Sequence, residues 1–79
     1  MTQTEHTIRK MLTEIAGVPS DVSADGDLYL ELGVASVHAM QLLLRLEEHF
    51  GVTVPDQDFI EAPSVAKLTA MIERLRRDE

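Results

Sequence analysis

The spacing of apolar residues predicts four helical segments, and the first of them runs from Thr2 to Ala16. Its apolar residues follow the i, i+3, i+4, i+7 pattern of an amphipathic helix. These residues are Ile8, Met11, Leu12 and Ile15. Thr2 or Thr4 can cap the start, and Gly17, followed by a proline, ends the helix.

A long loop is predicted from Gly17 to Ala35, because turn-forming residues dominate this stretch. A loop of about nineteen residues is unusual in a small domain, and such a loop is commonly functional or contains a short turn of its own. Leu28, Leu30 and Leu32 are expected to anchor it against the core.

The remaining chain predicts three further helices and no strand. The second helix is expected from Ser36 to Phe50, with Gly51 as its stop. A short helical turn is expected from Pro55 and Asp56 through Glu61, and Ser64 can cap a fourth helix. Apolar residues of this last segment recur at Val65, Leu68, Met71, Ile72 and Leu75. We therefore predict an all-α fold, a single domain over residues 1–79 built as a small four-helix bundle of three main helices and one short helix.

The predicted second helix carries more apolar surface than a core contact requires. At 100° per residue, five of its polar side chains fall within an arc of about 100°, and apolar residues cover most of the remaining circumference. A helix needs an apolar stripe of only roughly 100° to face a core. The five are His38, Gln41, Arg45, Glu48 and His49. This pattern has two interpretations. One is an exposed flank formed by Val37, Met40 and Leu44, bordered by Glu47 and Glu48, that contacts partner proteins. The other, which the residues alone slightly favour, is that all of these apolar residues are core.

Charge and composition narrow the function classes. The net charge is −7, and the segment between Met11 and Ala66 contains ten acidic residues but one basic residue, Arg45. Such a surface repels nucleic acid and attracts basic protein patches, although it can also serve solubility alone. The absence of cysteine excludes disulfides and thiolate metal sites. No apolar run reaches the ~20 residues of a membrane span, and without a signal-like start we expect a cytoplasmic protein.

Ser36 stands where the long loop meets the predicted second helix. Serine is a preferred helix cap, and capping alone accounts for many serines at such junctions. An exposed hydroxyl at a helix amino terminus is also well placed to carry a phosphodiester, because unpaired N–H groups and the helix dipole favour an anion there.

Three motifs at fixed distances resemble the acyl carrier proteins. They read Leu-Gly-Val-Ala-Ser-Val over 32–37, Leu-Leu-Leu-Arg-Leu-Glu-Glu-His-Phe over 42–50, and Gly-Val-Thr-Val-Pro-Asp over 51–56. The resemblance extends over nearly the whole chain. It implies that a phosphopantetheinyl transferase moves 4′-phosphopantetheine from coenzyme A onto Ser36 with magnesium, and that the arm's thiol holds acyl groups as thioesters.

The resemblance also implies that the second helix is the docking surface for partners. The residues expected in it are Val37, Met40, Gln41, Leu44, Glu47 and Glu48. Partners would be acyl-loading and acyl-transferring enzymes such as ligases, acyltransferases or ketosynthases, with neither nucleic acid nor membrane among them. We expect a monomeric, free-standing carrier that is not itself an enzyme and that has no metal site.

Two departures from the family pattern bear on function. The family usually has aspartate before the modified serine, where this chain has Ala35. We expect modification to survive because Ser36 supplies the attacking group, and we expect Ser36 to take over part of the capping. His38 and Gln41 stand where primary-metabolism carriers are often acidic, which indicates polyketide-type or other specialised metabolism.

Two alternatives remain open. The first is an aminoacyl or peptidyl carrier, although that type usually has paired glycines ahead of the serine. The second is an unmodified adaptor that keeps the fold and binds partners without a cofactor, which the alanine at position 35 favours.

Overall fold

A computed structural model describes residues 2–77, and within them the chain forms four helices and no strand. Helix α1 spans Gln3–Ala16, α2 spans Ser36–Phe50, α3 spans Asp56–Ile60 and α4 spans Val65–Arg77. This arrangement confirms the predicted all-α bundle of three main helices and one short helix.

Two of the main helices begin with side-chain caps. The Thr2 hydroxyl accepts a hydrogen bond from the Glu5 N–H at 3.1 Å, so Thr2 rather than Thr4 caps α1. The Ser64 hydroxyl accepts from the Lys67 N–H at 3.3 Å before α4. Gly17 follows α1 with a φ of 70°, a left-handed conformation that glycine adopts without strain. The predicted bounds of α1 and the predicted start of α4 are therefore correct to within a residue.

The core lies between α1 and the two other long helices, because α1 packs against both α2 and α4. Its fully buried side chains come mainly from these three helices. They are Ile8, Leu12, Leu42, Leu46, Val65, Leu68 and Ile72, joined by Leu28 from the long loop. Val52 and Val54 are also buried, in the connection that the sequence predicted to be too short for a strand.

The long loop between α1 and α2 is held at two places. The Arg9 guanidinium, itself buried, donates hydrogen bonds to the Ser20 and Val22 carbonyls and pairs with Glu5. Further along, the Leu28 N–H donates to the Pro63 carbonyl at 2.8 Å. These bonds satisfy backbone groups of the loop and fix its path over the bundle.

The loop anchors differ from those predicted. Leu28 is buried and Leu32 is half-buried, as expected, but Leu30 is 88% exposed. The Asp27 carboxylate accepts the Tyr29 and Leu30 N–H groups, at 2.9 and 2.8 Å, and so orders a turn. Because the backbone curls at this turn, Leu30 points to solvent, and the prediction that it anchors the loop is wrong.

Candidate functional site

The backbone that leads into α2 is set by Gly33 and Val34. Gly33 has a φ of 70°, which favours glycine because a Cβ is strained in the left-handed region. Val34 is buried, and its N–H donates to the Leu28 carbonyl at 2.9 Å. The turn at Gly33 followed by the anchor at Val34 determines where the chain emerges at the start of α2.

Ser36 is the first residue of α2 and is exposed to solvent. The N-cap position belongs to Ala35, whose φ of −81° and ψ of 157° are extended, and no side-chain hydrogen bond caps the helix. The Ala35 carbonyl accepts from the His38 and Ala39 N–H groups, both at 3.0 Å. The expectation that Ser36 takes over the capping is therefore wrong: it lies one residue too far into the helix to act as the N-cap.

The start of α2 favours an anion. The first N–H groups of a helix have no partner within it, and alanine offers no side-chain acceptor for them. The first turn of α2 contains no acidic residue, so the positive end of the helix dipole is not offset there. A phosphate linked to the exposed Ser36 hydroxyl would meet these groups, so the residues present fit a phosphodiester.

One continuous face of α2 extends away from Ser36. The i, i+4 spacing puts Ser36, Met40 and Leu44 in one row along the helix, with Val37 beside them. Val37, Met40 and Leu44 are 58% to 68% exposed. Gln41 and Glu48 are exposed on the same face. The alternative that these apolar residues belong to the core does not hold, since only Leu42 and Leu46 of α2 are buried.

Two polar residues of α2, Glu47 and His38, are half-buried and therefore less accessible to a partner than the sequence suggested. Glu47 is half-buried, and its carboxylate accepts the Val54 N–H at 2.9 Å, so it ties the end of α2 to the following connection. His38 is half-buried, and its Nδ1 has no hydrogen-bond partner among the described residues. Glu48 is therefore the acidic residue of this face whose carboxylate is the more available to a partner.

The sequence did not indicate that Leu30 and Ile60 would be exposed. Ile60 ends α3 and is 68% exposed. The one available signal for Leu30 was Asp27, which favours a local turn over a path across the core. For the five-residue α3, no apolar periodicity could have been read from the sequence.

Within residues 2–77 neither a metal site nor a membrane span is found. No three histidine, cysteine, aspartate or glutamate side chains in this part of the chain are grouped so that they could hold a metal ion. None of its helices is long and apolar enough to cross a membrane.

Comparison with known proteins identifies the class. A family model described as "Phosphopantetheine attachment site" matches residues 6–72. The chain is 34% identical over 73 residues to an acyl carrier protein of Akkermansia muciniphila, an alignment that covers 91% of each protein. It is 27% identical over 70 residues to one from Rhodococcus erythropolis, covering 87% of this chain and 77% of the relative. A third, from Campylobacter hominis, is 26% identical over 69 residues, covering 87% of each.

The match over residues 6–72 spans most of the bundle, including the exposed serine at the start of α2. The chain therefore belongs to the acyl carrier protein family, whose cofactor is phosphopantetheine. This confirms the resemblance seen in the three sequence motifs and the predicted cofactor.

Proposed function

We propose that this protein carries acyl groups on a 4′-phosphopantetheine arm attached to Ser36 and presents them to partner enzymes of specialised, polyketide-type metabolism. The observation that carries the proposal is the exposed Ser36 hydroxyl at the uncapped start of α2, in line with an exposed apolar face. The arm supplies a thiol that holds the acyl group as a thioester, which a chain without cysteine cannot supply.

Each feature of the site contributes to attachment. Ser36 presents its oxygen to solvent, where a phosphopantetheinyl transferase can bring up the coenzyme A donor. The free N–H groups of the first turn of α2 stabilise the phosphate once it is attached. Gly33 and Val34 hold the serine in place. The protein then contributes position and local concentration and leaves bond formation to its partners.

The exposed face of α2 is suited to brief contacts with these partners. Val37, Met40 and Leu44 lose water contact when a partner covers them, and a fully buried side chain of this type is worth roughly 1.5–3 kcal/mol. Glu48, beside them, favours a partner with a basic patch, which speeds encounter more than it tightens binding. This combination gives a contact that forms quickly and releases the carrier after transfer.

The proposal for attachment is tested by intact-mass analysis. The protein is incubated with coenzyme A, magnesium and a broad-specificity phosphopantetheinyl transferase, and it should gain the mass of one arm. Ser36→Ala should gain nothing, whereas the matched variant Ser20→Ala, at another exposed serine, should be modified like the native protein. No gain by the native protein, under conditions that load another carrier, would favour the unmodified adaptor instead.

The proposal for specialised metabolism depends on the neutral Gln41 at an exposed position of α2. Gln41→Glu, alone and with His38→Asp, restores the charge common in primary-metabolism carriers. We expect it to slow transfer to this protein's own partners and to speed transfer by enzymes of fatty acid synthesis. Unchanged rates with both sets of enzymes would remove the basis for a specialised pathway.

The cargo distinguishes an acyl carrier from an aminoacyl or peptidyl carrier. Protein purified from its native host with the thioester intact should carry an acyl group in the intact-mass spectrum. A mass increment that matches an amino acid or a peptide would contradict the acyl assignment while leaving attachment to Ser36 unaffected.

A further inference from the structure

The bundle has a basic cavity at the end opposite to Ser36. It is formed by the start of α1 and the last turns of α2 and α4, and it has a volume of about 540 Å³. Since α2 has 15 residues, Ser36 and Phe50 lie about 21 Å apart along its axis. The cavity is therefore separate from the proposed attachment site and from the exposed face beside it.

Its lining is basic in a protein that is acidic overall. Lys10 and Arg76 line the cavity together with His6 and His49, and no carboxylate of residues 2–77 lines it. The ion pairs formed among residues 2–77 join Arg9 to Glu5, Arg45 to Glu14 and Arg74 to Asp58. Neither Lys10 nor Arg76 takes part in an ion pair within that part of the chain. A neighbouring cavity, which also touches Arg76, adds one acid and one base, Glu73 and Arg77.

The Phe50 ring contacts two of the side chains that line the cavity, Arg76 and His49. The Arg76 guanidinium carbon lies 5.6 Å from the centroid of the Phe50 ring, a cation–π arrangement. The His49 ring packs against Phe50 in an edge-on geometry, with 4.8 Å between centroids. Because these contacts restrict the side chains before a ligand arrives, less conformational entropy is lost when an anion binds.

Neutral donors complete the lining. Gln3, Thr4 and Thr7, from the first two turns of α1, also line the cavity, and their side chains carry an amide and two hydroxyls. The guanidinium fork and the lysine ammonium are the groups that recognise phosphate oxygens, and hydroxyls and amides commonly add to them. The fold thus brings Lys10 and Arg76, which lie near opposite ends of the sequence, to one cavity that His49 also lines.

We propose that this cavity binds a small molecule that bears a diphosphate group. Lys10 and Arg76 contact the phosphate oxygens from two sides, and Thr7 and Gln3 donate further hydrogen bonds. A diphosphate offers a separate phosphate group to each of the two cations, Lys10 and Arg76, which a single phosphate does not. The attachment of an arm to Ser36 is not required for this binding.

The probe is inorganic pyrophosphate, titrated into the full-length protein at low salt and followed by two-dimensional amide NMR. We expect saturable shifts of the amides around Thr7, Phe50 and Arg76, and no shift at Ser36 or Val37. Lys10→Gln and Arg76→Gln should each weaken binding about threefold or more. Lys67→Gln is the matched control, because it removes the same charge from an exposed lysine of α4 outside the cavity, and it should bind like the native protein.

Three results would overturn the proposal. Equal weakening by Lys67→Gln would show that pyrophosphate responds only to net charge. Shifts at the start of α2 that persist in the Lys10→Gln/Arg76→Gln variant would place the anion at the attachment site instead. Tighter binding of an oligoglutamate peptide than of pyrophosphate would identify an acidic protein segment as the ligand. The amide spectrum of each free variant reports whether it is folded.

Discussion

Helices α2 and α4 have similar lengths and similar supplies of apolar residues, but the fold uses them differently. In α4 Val65, Leu68, Met71 and Ile72 are all buried. In α2 only Leu42 and Leu46 are buried, although it is the more apolar helix. Three large apolar residues of α2 remain exposed, so folding does not account for their presence. The difference shows that α4 contributes most of its large apolar residues to the core, and it supports the proposal that α2 also contacts partners.

The largest expected effect is a difference in the free energy of unfolding between variants of two leucines in α2. Leu46 is fully buried, and Leu46→Ala should lower the free energy of unfolding by roughly 2–5 kcal/mol, through lost apolar burial and the cavity left behind. Leu44, two residues away, is mostly exposed, and Leu44→Ala should change the free energy of unfolding by less than about 0.5 kcal/mol. Urea unfolding followed by circular dichroism measures both values.

The same pair should respond in the opposite order in partner assays. Leu44→Ala should slow acyl transfer to the protein's partner enzymes, whereas Leu46→Ala, measured where it is still folded, should have little effect on it. If Leu44→Ala is as destabilising as Leu46→Ala, the proposed division of α2 into a core side and a contact side is wrong.

A methionine pair extends the comparison to both helices. Met71 of α4 is buried but also lines an open cavity between α3 and α4, which lets neighbouring side chains relax after truncation. Met71→Ala should therefore cost about 2 kcal/mol, the lower end of the range for such changes. Met40→Ala, on the exposed face of α2, should be close to neutral. Thermal unfolding of the two variants side by side tests this, and a similar loss in both would contradict it.

The sequence was a better guide to α4 and α1 than to the function of α2. In α1 and α4 the apolar periodicity and the caps agreed, so the bounds of α1 and the start of α4 were predicted to within a residue. The same periodicity cannot distinguish a core contact from a contact with a partner, because both require apolar side chains. The width of the apolar arc therefore left both interpretations of Met40 and its neighbours open, and the structure was needed to establish that they are exposed.

Other features depend on contacts between segments that are distant in the sequence, and they could not be predicted from it. Glu47 appeared to be a free acid, but its hydrogen bond to the Val54 N–H depends on how the chain turns after α2. The basic cavity joins residues from three helices, and residues as far apart as Lys10 and Arg76 share no local pattern. Ser36 was identified because the motifs around it resemble the acyl carrier proteins, since its position between a loop and a helix is also explained by capping alone.

The starts of α2 and α4 also differ, because Ser64 caps α4 with its side chain and α2 has no side-chain cap. Ala35→Asp supplies an acceptor for the free N–H groups and a negative charge near the helix dipole, and should raise the free energy of unfolding by about 1 kcal/mol. Ala39→Asp, which puts the same charge inside α2, should not stabilise the protein. Chemical denaturation measures both, and no gain in Ala35→Asp would mean that solvent already satisfies the start of α2.

The smallest effect concerns the loop that leads into α2. Burial raises the pKa of Tyr29 above its usual value near 10, and the charge of Asp27 adds to the increase. The folded protein therefore holds the phenol proton of Tyr29 more tightly than the unfolded chain does, and this tighter binding contributes to stability. The contribution is complete below pH 10 and is lost as the pH rises through the raised pKa of the folded state.

Asp27→Asn removes the charge while it keeps an oxygen that can accept the Tyr29 and Leu30 N–H groups. Tyr29 is the only tyrosine and the chain has no tryptophan, so phenolate absorbance reports its titration alone. The pKa of Tyr29 should fall in Asp27→Asn but stay above its usual value, because burial is the larger cause. Asp25→Asn, an exposed aspartate of the same loop, should leave it unchanged. If the two variants lower the pKa equally, the overall negative charge and not the turn at Asp27 acts on Tyr29.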